Sequence, residues 1–85
     1  MRTEYLVGAA AFFLGWALVR KQNLPGAIEA FQQAIRLKDD YAMAHYNLGL
    51  ALWSKGEKKY AEENLRKANR LDPRLKLPKF LAAVE

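Results

Sequence analysis

The chain has 85 residues, 52% apolar and 27% charged, with no cysteine and a net charge of +5. That length holds one small domain and excludes a catalytic domain joined to a separate substrate domain. The apolar content excludes disorder, and the missing thiols exclude disulfides, cysteine nucleophiles and sulfur-bound metals.

Tyr5 to Val19 carries no charge and is followed by Arg20 and Lys21. A membrane span needs about 20 apolar residues, more than this run supplies. A secretory leader would begin basic, but Arg2 is offset by Glu4, and Trp16-Ala17-Leu18-Val19 makes a poor small-residue cleavage site. A buried first helix is the third reading, and the register described below favours it.

Sliding the sequence by 34 positions matches residues 8–41 to 42–75 without a gap. Identical pairs include Ala10/Ala44, Leu14/Leu48, Gly15/Gly49, Ala17/Ala51, Leu18/Leu52, Ala27/Ala61, Ala34/Ala68 and Leu37/Leu71, with Phe31/Leu65 a close substitution. The matched residues fall at helical spacing: Leu14, Ala17 and Leu18 at i, i+3, i+4, and Ala27, Phe31 and Ala34 at i, i+4, i+7. The first set is expected to pack each leading helix on its partner. Gly15 and Gly49 sit mid-helix, where Gly costs about 1 kcal/mol relative to Ala, so a neighbouring helix should approach there too closely for a Cβ.

The breaks repeat as well. Asn23 before Pro25 reads as a helix N-cap, Gly56 as a C-terminal stop, Asp39 or Asp40 as a cap for a third helix, and Asp72 before Pro73 as a cap for a fifth. Helices are expected near 4–21, 24–37, 41–54, 58–71 and 74–84. Residues 54–79 hold nine basic and four acidic side chains, which is the whole net charge. A solvated helix face explains that run, with attraction to acidic partners as the functional alternative.

Two helices per 34 residues, with these residues at these offsets, resemble the tetratricopeptide repeat. The second copy reads His45, Leu48-Gly49, Leu52, Gly56, Ala61, Leu65, Ala68, Leu71, Pro73; the first reads Ala11, Leu14-Gly15, Leu18, Ala27, Phe31, Ala34, Leu37. Ala11 and His45 stand where the family often has Trp, and Asp39 stands where it has Pro. The resemblance implies an all-α, right-handed α-α superhelix of about five helices. It divides the single domain 1–85 into repeat one (8–41), repeat two (42–75) and a C-terminal capping helix (76–85).

It also implies a concave surface lined by the leading helices, here Ala9, Phe12, Trp16, Val19, Met43, Tyr46, Asn47, Leu50 and Trp53. The periodicity agrees, since Phe12-Trp16-Val19 and Tyr46-Leu50-Trp53 each follow i, i+4, i+7 on a face offset from Leu14-Ala17-Leu18. Phe12, Trp16, Tyr46 and Trp53 would present roughly 600 Å² of aromatic surface, more than a soluble monomer leaves bare. A partner peptide, a second copy or the folded-back C-terminal helix would cover it; the bland reading is that these rings fill an ordinary core. Asn47 matches the Asn with which some relatives clamp acidic peptide tails. The other clamp positions fall on Phe12, Trp16, Leu77 and Leu81, so that ligand is not expected.

Catalytic chemistry is missing. One histidine, His45, cannot build a multi-imidazole metal site, and it occupies a core position of the repeat. Asp39-Asp40 and Glu62-Glu63 are adjacent pairs, which diverge on a helix and form no acid/base dyad. Tyr60 and Phe80 alone interrupt the basic stretch with rings, too few for a nucleic-acid platform. The reading is a non-enzymatic adaptor or scaffold, without cofactor or metal, that binds a peptide or helix of a protein partner. Its alternatives are a self-assembling repeat unit, stacked end to end or paired through the groove, and a membrane-anchored subunit with residues 5–19 in lipid. The expected location is cytoplasmic, with membrane association as the alternative.

Overall fold

The computed structural model describes residues 3–82, and among these it is all-helical. The elements are α1 (Thr3–Arg20), α2 (Leu24–Leu37), α3 (Ala42–Lys55), α4 (Lys58–Leu71) and the short α5 (Lys79–Ala82). Each packs on its neighbour in sequence, α1 on α2, α2 on α3 and α3 on α4, while α1 touches α3 only lightly. Two leading helices thus lie side by side, backed by two trailing ones.

The punctuation acts mostly as its chemistry requires. Asn23 Oδ1 accepts from the Gly26 amide at 3.1 Å with Pro25 in the first turn, so α2 starts there. Gly56, at φ 99°, closes α3 in the left-handed conformation that side chains avoid. Neither Asp39 nor Asp40 caps α3. Tyr41 stands at that position without a side-chain cap, because Asp40 is engaged by Lys38 Nζ at 2.9 Å. Asp72 holds the turn after α4 through the Arg74 amide at 3.1 Å rather than a fifth helix.

That fifth helix is short. Residues 74–78 are not helical, because Pro78 disfavours helical geometry in the residue before it, so α5 begins only at Lys79. Residues 83–85 of the expected capping helix lie outside the described residues.

Within each repeat the two helices meet at a glycine. A Cβ on Gly15 would fall 2.6 Å from Phe31 Cε1, and one on Gly49 would fall 2.6 Å from Leu65 Cγ and 3.0 Å from the Ala61 carbonyl oxygen. Phe31 and Leu65 are fully buried, seated on those bare backbones among Ala27, Ala34, Ala61 and Ala68.

The first helix departs from the expectation of a buried rod. It buries one face, Gly8, Ala11, Phe12 and Gly15, and exposes Leu6, Ala10, Leu14 and Ala17. Leu14 is 55% exposed, whereas its counterpart Leu48 is 4% exposed. The glycine face meets the partner helix, with Leu18 packed at its edge, while Leu14 and Ala17 point away. The leucine face of α3 is buried because α2, the trailing helix of the preceding repeat, lies against it. Among the described residues nothing occupies the matching place on α1.

His45 sits inside this frame, 5% exposed. Its Nε2 donates to the Asp39 carbonyl oxygen at 2.9 Å, and its Nδ1 lies 3.1 Å from Oδ1 of Asn64. Asn64 in turn donates to the Tyr60 carbonyl at 2.9 Å. One ring thereby ties the α2–α3 turn to α4.

Two measurements check this account. Gly15→Ala should lower stability by about 1–3 kcal/mol, a fall in Tm of several degrees, because Phe31 must leave its seat. Gly8→Ala should raise it by about 0.5–1 kcal/mol, since a Cβ there meets only ordinary contacts at 3.7 Å. Replacing His45 with Ala should cost about 2–4 kcal/mol in chemical denaturation, leaving a cavity and an orphaned Asp39 carbonyl.

Candidate peptide-binding groove

The concave surface is built by α1 and α3, but its two halves differ. On the α1 side, Phe12, Phe13, Trp16, Met43 and Asn47 enclose an open cleft of about 200 Å³. Trp16 is 47%, Phe13 63% and Met43 42% exposed. Phe12 forms the floor rather than the wall. It is 8% exposed, its ring 5.7 Å from Phe31, 5.2 Å from Tyr41 and 5.5 Å from Phe13. The aromatic surface expected from Phe12 is therefore spent inside the core. Burial also pushes the Tyr41 phenol above its usual pKa.

Polar groups at the cleft are few and satisfied. Asn47 Nδ2 donates to the Met43 carbonyl at 2.9 Å. The Arg20 guanidinium lies 5.1 Å from the Trp16 ring centroid. A cation over an indole face is attracted by the ring quadrupole, so the cleft has an apolar floor and a basic edge. Val19 is 38% exposed on the same helix, and Ala9 is half-buried.

On the α3 side the chain covers its own surface. Trp53 stacks on Phe80 of α5 with ring centroids 4.1 Å apart and planes 30° from parallel. Tyr46 donates its hydroxyl proton to the Lys76 carbonyl at 3.3 Å, and Leu81 is 2% exposed. Tyr46, Leu50 and Trp53 are consequently half-buried. Lys58 Nζ lies 5.3 Å from the Trp53 ring. The nine groove residues named from sequence thus fall into an open group (Trp16, Val19, Met43, Asn47), a floor (Phe12), a half-buried Ala9 and a group toward the C-terminal segment (Tyr46, Leu50, Trp53).

Phe13 is the cleft residue that sequence reasoning passed over. A signal existed: shifting by 34 places Phe13 on Asn47, which was placed in the groove. Phe13 falls outside the i, i+4, i+7 set of Phe12, Trp16 and Val19, and its contact with Phe12 and the cleft shows where the ring lies.

A second hollow, about 420 Å³, opens on the other side between α2, α3 and α4, lined by Ile28, Gln32, Leu48, Lys55, Tyr60 and Asn64 among others. Its wall mixes apolar Ile28, Leu48 and Leu52 with polar Gln32, Lys55, Glu57, Tyr60 and Asn64. Among the described residues no group of acidic or histidine side chains is arranged to hold a metal ion, and no helix is long and apolar enough to cross a membrane.

A family model described as TPR repeat matches residues 15–56, and one described as tetratricopeptide repeat matches residues 42–75. The chain belongs to the tetratricopeptide-repeat family. Tetratricopeptide repeats generally mediate protein–protein interactions and are typically non-enzymatic interaction modules.

The covering of Trp53 can be read by fluorescence. In a Trp16→Phe background, Phe80→Ala should shift Trp53 emission to the red and raise its quenching by acrylamide, since stacking that excludes water would be lost. Unchanged emission would mean that α5 does not shield the indole in solution.

Proposed function

We propose that this tetratricopeptide-repeat module is an adaptor or scaffold that receives a peptide or helix of a protein partner in its concave groove. Affinity comes mainly from the open half, Phe13, Trp16 and Met43, over the floor made by Phe12. The observation that carries the reading is the pairing of an exposed Trp with an exposed Phe and Met around one apolar cleft. Trp is enriched among residues that dominate binding energies, and a thioether adapts its shape to varied apolar ligands. A contiguous exposed apolar patch marks an interaction site, whereas singly scattered apolar residues do not.

The partner's chemistry follows from the edge. Arg20 stands over Trp16 and Lys58 over Trp53, in a chain of net charge +5. An amphipathic segment with one or two large apolar anchors and acidic residues beside them suits both the floor and the rim. Charge then governs the rate of encounter more than the final affinity.

The test uses a synthetic amphipathic helix with Leu and Phe on one face and Glu on the other. Calorimetry at low salt should detect saturable binding to the intact chain. Trp16→Ala should weaken it by about tenfold or more, roughly 1.4 kcal/mol, with helicity unchanged by circular dichroism. Binding that survives both Trp16→Ala and Met43→Ala would remove the cleft from the mechanism.

A further inference from the structure

We propose that α1 of this chain pairs with α1 of a second copy, antiparallel about a two-fold axis, through Leu6, Val7, Ala10, Leu14 and Ala17. These residues lie on the side of α1 turned away from α2 and the groove, and all five are exposed. Val7, Ala10, Leu14 and Ala17 follow the 3-4-3 spacing of a helix–helix seam. Ala10 and Ala17 provide holes beside the knobs Val7 and Leu14, which lets two backbones approach closely.

The same chain shows what this face does when it is covered. Ala44, Leu48 and Ala51, shifted by 34, are 0%, 4% and 4% exposed against α2. The face on α1 is broader than that internal joint requires. Shifted by 34, Leu6 falls on the exposed Asp40 of the turn before α3, so the apolar strip on α1 continues where the approach to α3 is polar.

The opposite end of the molecule decides between modes of assembly. Stacking copies head to tail would need α4 to offer the surface that α2 offers to α3. At the positions of Ile28 and Ile35, α4 carries Glu62 and Asn69. Glu62 holds the Arg66 guanidinium at 2.8 Å, and Asn69 donates to the Leu75 carbonyl at 3.0 Å. That end is polar and internally bonded, and burying it against leucines would strand those groups. Self-assembly by end-to-end stacking is thus disfavoured, and a closed pair through the apolar end is left, which cannot propagate into a fibre.

The helix dipole selects the antiparallel arrangement. Antiparallel copies bring opposite dipole ends of α1 together, and parallel copies would bring like ones. The face consists of five partly exposed side chains, two of them alanines, smaller than a standard specific interface, so the pair is concentration-dependent.

Sedimentation equilibrium of the intact chain, from about 1 µM to several hundred µM, tests this within the range expected for so small an interface. The mass should double across that range. Leu14→Glu, and separately Ala17→Glu, should hold the chain at monomer mass with unchanged circular dichroism, because both positions are exposed in the single chain. Trp16→Ala should leave the doubling intact, which separates this inference from the groove. The chain has no native cysteine, so engineered ones report the register. A mixture of Val7→Cys and Ala17→Cys copies should cross-link, and Ala17→Cys alone should not. A wild-type mass that stays monomeric would overturn the proposal, as would doubling that persists in both glutamate variants or cross-linking of Ala17→Cys alone. Monomeric chain that co-sediments with phosphatidylcholine vesicles through Leu14 would assign the face to lipid instead.

Discussion

Everything in this structure depends on two helices meeting without a Cβ between them. Phe31 occupies the space over Gly15, and Leu65 occupies the space over Gly49. Each glycine gives up about 1 kcal/mol of helix propensity, and the burial of a large side chain at van der Waals distance from backbone more than offsets it. The close approach sets the angle of the helix pair. The angle then turns Trp16, Met43 and Asn47 toward one cleft and Leu14 and Ala17 toward the end. Groove and end face are two consequences of one contact repeated 34 residues apart.

Repetition also explains why identical residues have different fates. Leu14 and Leu48 occupy the same register, yet one is 55% and the other 4% exposed. Burial here is set by a neighbour, and a repeat contacts only its neighbours. The trailing helices show the converse. Ile28 and Ile35 face α3, while Glu62 and Asn69 at the same places serve an outward face. One end of the molecule is finished with hydrogen bonds and the other with leucine and alanine.

Much of this was legible in the sequence, because a gapless internal match carries three-dimensional information. The 34-residue register located four helices, the glycine contacts, the Asn23 cap and the Gly56 stop. What it missed depends on context that a single copy does not encode. Leu14-Ala17-Leu18 looked like a partner-facing stripe because it matches one that is buried, but the burying helix belongs to the preceding repeat. Phe12 looked like a groove wall because its period agreed with Trp16, yet Tyr41 and Phe31 close over it. The caps assigned to Asp39 and Asp40 failed for a local reason, since Lys38 two residues from Asp40 was a stronger partner than the free amides of α3.

The C-terminal segment bears on what the groove accepts. Residues 76–81 approach the α3 half with a backbone carbonyl for the Tyr46 hydroxyl, a ring for Trp53 and a buried leucine. Those are the contacts a bound peptide would make: one main-chain acceptor, one aromatic anchor, one aliphatic anchor. Their cost in ordering is small, because the segment is already tethered and its effective concentration is high. A free partner pays that cost in full and must find more apolar surface to compensate, which the α1 half, with Phe13, Trp16 and Met43 still open, is placed to supply. Under the proposed groove binding, the short α5 would act as a lining that shortens the groove and leaves the first-repeat half for a partner.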